Sequence, residues 1–328
     1  MQDKLLEVRG LRTVFQTDGG MLPAVDGLSF SLAENEVLAI VGESACGKSV
    51  TSLSLLRLVP APGKIVAGEI HYRGEDLLTK TAREMNAIRG QEISMIFQEP
   101  MTSLNPVFPI GRQIMESLRF HGEKSRGAAQ ARAVEMLGLV GFAAPARAMD
   151  RYPHQLSGGM RQRVMIAMAL ACNPRILIAD EPTTALDVTI QAQILRLLRD
   201  IRSKAGASII LITHDLGVVA QIAQNVLVMY AGEAVEYADV RSLYADPLHP
   251  YTQGLLQSIP KMTEERDMLF TIPGMVPSAL NYPKGCRFSP RCGVATDRCA
   301  TEHPPCLEMG DGRQVRCWRC EGGRKRHG

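Results

Sequence analysis

Directly after the apolar run V-L-A-I-V at 37–41 the chain reads Gly42-Glu43-Ser44-Ala45-Cys46-Gly47-Lys48-Ser49. In this G-x-x-x-x-G-K-S pattern the glycines let the backbone curl, so that successive N–H groups point into an anion-sized hollow at a helix N-terminus. Lys48 brings a full positive charge toward the β- and γ-phosphates of a nucleotide, and Ser49 offers a hydroxyl to Mg²⁺. The nucleotide-binding residues expected are therefore Gly42, Glu43, Ser44, Ala45, Cys46, Gly47, Lys48, Ser49 and Val50. One helix terminus contributes only about 0.3–2 kcal/mol to holding an anion, so binding rests on the sum of amides, lysine and metal. A second apolar run, at 176–179, ends in Asp180-Glu181-Pro182. Asp180 stands where a strand's C-terminal edge would present a carboxylate to Mg²⁺. Glu181, one residue on, suits a general base for the attacking water, a role worth about 10²–10⁴ in rate. The plain alternative is a strand-terminating acidic turn. A third cluster, Leu156-Ser157-Gly158-Gly159-Met160, opens a helical run at 160–172 and forms another anion-attracting helix start. A site with its own phosphate loop has no use for a second one, unless it serves another nucleotide.

These groups need a scaffold. The runs at 37–41, 176–179 and 208–212 are continuously apolar, as strands buried on both faces of a parallel sheet must be, and helical stretches alternate with them. Segments 5–15, 27–32 and 69–72 instead alternate apolar and polar residues between Gly, Asp and Pro turns, which predicts a small antiparallel sheet. Residues 226–229 and 234–237, split by Ala231-Gly232-Glu233, read as a hairpin. Between about 98 and 160 helical stretches broken by Pro106, Pro109, Gly122, Gly138 and Pro145 predict an inserted helical subdomain. Beyond residue 237 proline recurs from Pro247 to Pro305 and cysteine becomes dense, so we expect a nucleotide-binding domain over 1–237 and a distinct extension over 238–328.

Bulk properties narrow the class. With 328 residues, 45% hydrophobic, 22% charged and a net charge of +3, the chain is an ordinary globular protein of one and a half to two domains, and no basic excess points to nucleic acid. It shows no signal-like apolar core and no run near the roughly 18 residues a membrane span requires. A cytosolic or peripherally bound protein is expected. Eight cysteines in so long a chain without an export signal suggest free thiols or metal ligation before disulfides.

The phosphate loop, I-A-D-E-P at 178–182 and L-S-G-G-M at 156–160, in one chain and spanning roughly 5–235, resemble the ATP-binding-cassette (ABC) ATPases. The resemblance implies an α/β fold with a RecA-like parallel core, an antiparallel β subdomain and an inserted helical subdomain. It also implies roles for further residues. Gln98 would reach the metal and attacking water and report nucleotide state to membrane subunits. His214, in I-T-H-D, would contact the γ-phosphate. Asp187, in T-A-L-D, would lie at a dimer interface, and Phe15 would stack on adenine unless it packs in the core. Leu156, Ser157, Gly158, Gly159 and Met160 would cover the nucleotide held by a second subunit, two ATP being sandwiched head to tail. Cys46 stands where the family carries Gly or Ser, which would make the loop thiol-sensitive.

F-Q-E-P-M-T-S-L-N-P at 97–106, Y-P-H-Q-L-S-G-G-M-R-Q-R at 152–163 and L-H-P-Y-T at 248–252 narrow the resemblance to the oligopeptide and dipeptide permease ATPases. Six cysteines lie beyond residue 285. Their spacing alone leaves iron, zinc and free thiols open, and the single C-x-x-C pair, Cys317 with Cys320, weakens a zinc-ribbon reading. The resemblance implies a [4Fe–4S] cluster on Cys286, Cys292, Cys299 and Cys317, with Cys306 or Cys320 as an alternative fourth ligand. It further implies an ATPase subunit at the cytoplasmic face of the inner membrane. Its partners would be a paralogous or identical ATPase subunit, two transmembrane permease subunits and, indirectly, an extracytoplasmic solute-binding protein. A soluble cassette ATPase acting on nucleic acid or the ribosome is the competing class. It would show tandem cassettes or a long coiled-coil insertion, and neither is present. An iron–sulfur sensor without hydrolysis is a third, opposed by the intact Glu181 and His214.

Overall fold

The computed structural model describes residues 4–98, 103–183, 187–259 and 270–322. They form two compact units, one of Ala33–Glu36 with Thr79–Ile212, the other of Lys4–Leu32, Val37–Leu78 and the chain from Thr213 onward. No helix among the described residues is long and apolar enough to cross a membrane.

In the unit that carries the phosphate loop, strands Gly20–Ala33, Lys4–Thr17, Gly63–Tyr72 and Glu75–Asp76 form an antiparallel sheet in that order. Leu6 and Val8, then Leu11 and Thr13, are buried while Arg9 and Arg12 face solvent, the two-residue period that a one-sided sheet demands. Strand Gly63–Tyr72 starts well before the expected 69–72. Its first half is mostly exposed, and Gly68 (φ +101), whose Cβ would lie 2.6 Å from Leu11 Cα, sits at a register shift that hides the alternation. The same unit holds Val37–Val41, buried throughout, pairing in parallel with Asn225–Tyr230. That strand turns through Ala231 and Gly232 into the antiparallel Glu233–Asp239, as the expected hairpin requires. Two short strands absent from the sequence reading, Gln314–Val315 and Leu307–Glu308, continue the sheet beyond Glu233–Asp239.

In the other unit Ile93–Ile96, Ile176–Asp180 and the first five residues of Ser208–Thr213 pair in parallel, and almost every side chain in them is buried. Helices Ile110–Phe120 and Arg126–Leu139 make up most of the helical insert. Ile110, Ile114 and Leu118 of the first and Ala129, Ala133 and Leu137 of the second are buried at four-residue spacing, so each helix turns one stripe inward. Helix starts are capped where the sequence supplies acceptors. Thr81 forms a reciprocal capping box with Glu84, and Ser125 accepts from Ala128 N–H.

Candidate active site

The strand Val37–Val41 delivers the loop to helix Lys48–Leu55 through Gly42 (φ +153), Ala45 (φ +63) and Gly47 (φ +99). A Cβ on Gly42 would lie 2.2 Å from Met229 O, and one on Gly47 2.2 Å from Ala24 O, so only glycine lets the backbone close the cradle. Lys48 is 6% exposed, and its Nζ donates to Gly42 O at 2.8 Å and Glu43 O at 2.9 Å. The ammonium is thereby held across the start of the loop. Glu43 N–H donates to Tyr251 Oη at 2.8 Å, so this amide is shared with the extension. Phe15 is half-buried and lies over Gly63, where an added Cβ would meet its ring at 2.6 Å. His214 is exposed, one residue before Asp215, which caps helix Leu216–Ile222 by accepting from Val218 N–H.

Cys46 departs from its expected sensitivity. It is 1% exposed, and burial is the chief cause that raises its pKa, Lys48 opposing only in part. A buried, protonated thiol is a poor nucleophile.

In the other unit Asp180 ends its strand with 3% exposure. The next residue, Glu181, adopts φ +46 and donates its N–H to Ile212 O at 2.9 Å. A non-glycine residue there carries backbone strain of the kind that collects at functional sites. Gln98, exposed at the end of its strand, donates Nε2–H to Glu181 Oε2 at 3.2 Å. Two residues separated by 83 positions are thus brought into contact. The donors named for Mg²⁺, a carboxylate on Asp180, an amide oxygen on Gln98 and a hydroxyl on Ser49, are all hard oxygens, the chemistry that ion takes.

Ser157 caps helix Gly158–Leu170, its Oγ accepting from Met160 N–H at 3.3 Å. Leu156 is buried and anchors the turn, Arg161 Nε donating to its carbonyl at 3.0 Å. Ser157 and Gly158 are exposed, and nothing lies within 4 Å of where a Cβ on Gly158 would stand. Gly159 rests against Ile190. Asp187 caps helix Val188–Ala205 by accepting from Ile190 N–H at 2.9 Å, a local role the sequence reading did not give it, although an Asp opening a helical run is the standard signal. Beside it Val188 is 82% exposed. The open helix start and this apolar side chain lie within the same unit.

Sequence reasoning treated L-H-P-Y-T as a marker and missed its work. His249 accepts from Tyr251 N–H through Nδ1 at 3.1 Å and Pro250 takes the first helical position, an arrangement that starts helix Pro250–Gln257. Glu236, buried, accepts from Leu248 and His249 N–H at 2.8 Å each. Tyr251 then reaches Glu43.

The expected [4Fe–4S] cluster is overturned. Among the described residues, which include all six of these cysteines, no group of three or more His, Cys, Asp or Glu side chains is arranged to hold a metal ion. Cys286, Cys292, Cys299 and Cys317 line a cavity of about 20 Å³, room for about one water. Burial lifts the Cys286 thiol to about 11 and raises Cys292 as well, while Cys317 is raised chiefly by its hydrogen bond with Cys320. Without a metal ion beside them, these three side chains are held as thiols. Cys317 and Cys320 pack with Leu248, Met309 and Val315 as small apolar side chains, and Cys306, the other alternative ligand, is exposed.

Comparison with known proteins agrees with the loop and the sheet. The family description "ABC transporter" matches residues 25–184, and "Oligopeptide/dipeptide transporter, C-terminal region" matches 235–299. The chain is 55% identical to the oligopeptide transport ATP-binding protein AppD of Bacillus subtilis (strain 168), over 96% of both chains. It is 47% identical to the dipeptide transport ATP-binding protein DppD of Escherichia coli (strain K12), over 95% of this chain and 96% of that one. Among solved structures, the dimeric ABC transporter cassette MJ0796 superposes with a TM-score of 0.65 at 28% identity, covering 72% of this chain and 99% of the cassette. A cradle that only glycine can close, an acid pair at a strand end and relatives of this likeness along almost the whole length place the chain in the ABC transporter ATPases, and it belongs to their oligopeptide/dipeptide family.

Proposed function

We propose that the chain is the ATP-hydrolysing subunit of an importer for dipeptides or oligopeptides, working peripherally on the cytoplasmic face of the membrane. One observation carries the reading. The chain is alike, over 95–96% of its length, to proteins named for oligopeptide and dipeptide transport. In this reading Lys48 and the amides of Gly42–Ser49 take the phosphates, Phe15 takes the adenine face, and His214 contacts the γ-phosphate. Asp180, Gln98 and Ser49 would hold Mg²⁺, which when bound would offset the negative charge of the phosphates. Glu181 removes a proton from the attacking water, and Gln98, already hydrogen-bonded to the Glu181 carboxylate, orients that base.

Leu156–Met160 serves a nucleotide held by a second ATPase subunit, paralogous or identical. Support comes from the exposure of Ser157, Gly158 and Val188. Surplus donors turned to solvent suit a partner's anion. Asp187 joins that face. In the helical insert a groove of about 800 Å³, edged by Arg112, Arg119, Phe120 and Arg126, offers a seat for one of the two membrane permease subunits, behind which an extracytoplasmic protein would select the solute. The class of soluble ATPases acting on nucleic acid or the ribosome has no comparable support.

The test is ATP-driven uptake of a labelled dipeptide into vesicles bearing the chain and its co-purifying membrane subunits. Uptake that requires Glu181 supports the proposal. Copies of this chain that never accompany membrane proteins, or vesicles with no ATP-dependent uptake, would refute it.

A further inference from the structure

The extension grips the phosphate loop through one arginine. Arg291 closes a 3₁₀ turn, Ser289–Arg291, and its side chain is 4% exposed. Nη1 and Nη2 donate to the two carboxylate oxygens of Glu43 at 2.6 and 3.0 Å, a bidentate pair across 248 residues. The same guanidinium donates to Pro273 O at 2.9 Å, Ile272 O at 3.2 Å and Tyr230 Oη at 3.4 Å. Glu43, second residue of the loop, is held at each polar group. Tyr251 Oη takes its N–H, Lys48 Nζ donates to its C=O, and Arg291 takes its carboxylate. A second arginine braces the loop from behind. Arg287 donates to Ala231 O at 2.6 Å and pairs with Asp26 and Glu233, and Gly232 N–H in the same turn donates to Cys46 O at 3.0 Å.

We propose that Arg291 is a positioning residue for the ATPase. Through Glu43 it fixes the Gly42–Glu43 peptide, and with it the carbonyls that aim Lys48, so that ATP affinity depends on the C-terminal extension. The inference rests on reading Gly42–Ser49 as the ATP loop. A fork-on-carboxylate pair constrains angle as well as distance, which an ammonium cannot do. Nothing in the strand-to-helix connection itself requires a charged side chain at position 43. The carboxylate earns its place by this contact.

The experiment uses the full-length chain and measures KM and kcat for Mg-ATP together with the melting temperature. Arg291→Ala raises KM on the order of tenfold, the equivalent of about 1.4 kcal/mol, while kcat at saturation changes much less. Arg291→Lys recovers only part of the loss and stays readable should the alanine variant not fold. The double variant Glu43→Gln with Arg291→Ala is no worse than Glu43→Gln alone, the non-additivity of a single contact. Arg298→Ala is the control. It removes an arginine of the same extension that pairs with Glu302 and Glu321 and lies over Trp318, and KM should not move. An unchanged KM in folded Arg291→Ala or Arg291→Lys, additive losses, or an equal rise in Arg298→Ala overturns the proposal. Lys48→Ala, run alongside, separates the two layers. If it too binds ATP like the unaltered chain, the reading of the loop fails; if it alone loses ATP, only the role of Arg291 does.

Discussion

Acidification should loosen this protein through one side chain, and the size of the effect follows from the structure. His249 is 1% exposed, its Nδ1 is an acceptor for Tyr251 N–H, and burial, aided by the charge of Arg316, lowers its pKa to about 3. In the unfolded chain its pKa is about 6.5. The folded state therefore refuses a proton that the unfolded state takes, and stability is lost as pH falls from about 6.5 toward 3. Linkage gives a loss of about 1.4 kcal/mol by pH 5.5 and about 2.7 kcal/mol by pH 4.5. Glu236, which accepts from the His249 N–H, is raised by burial and acts with the opposite sign, its contribution shrinking as pH rises. Glu236 and Arg316 both remain in His249→Asn, which retains a capping side chain but does not titrate. The assay is urea denaturation at half-unit steps from pH 7.5 to 4.5 for both proteins. Loss of packing against Phe288 offsets the two curves equally at every pH, so the slope difference alone reports His249. Parallel curves across that range would refute the reasoning.

Other changes test other parts of the site. Glu181→Gln should slow single-turnover hydrolysis by about 10²–10⁴ while ATP still binds, and gel filtration with ATP should show a dimer; hydrolysis at the ordinary rate removes Glu181 as the base. Gly47→Ala puts a Cβ 2.2 Å from Ala24 O at φ +99, and strain of at least about 1–3 kcal/mol should lower the melting temperature and abolish ATP binding in filter assays. Cys46 should resist iodoacetamide at neutral pH while exposed Cys306 is modified, as peptide mass spectrometry would register.

What the sequence made legible was local. V-L-A-I-V leading into a glycine-rich turn favours a buried strand followed by a positive-φ loop, because β-branched residues suit a strand and glycine takes positive φ without strain. Asp180 at a strand end follows from the apolar run before it. The contact of Gln98 with Glu181 and that of Arg291 with Glu43 depend on chain segments meeting across 83 and 248 residues, which no local pattern encodes. The two-residue strands at 307–308 and 314–315 are too short to display alternation. The cysteines misled for a related reason. Spacing measures distance along the chain, whereas burial of Cys317 and Cys320 among Leu248, Met309 and Val315 decides their chemistry.

Those two short strands also guard the protein against itself. Gln314–Val315 satisfies backbone groups of Glu233–Asp239 that would otherwise face solvent as a bare template. A chain cut near residue 306 would keep its catalytic loop yet present an unshielded β edge, open to zipping onto the next molecule. Aggregation, rather than a weaker grip on fuel, would then be the first symptom of a shortened tail.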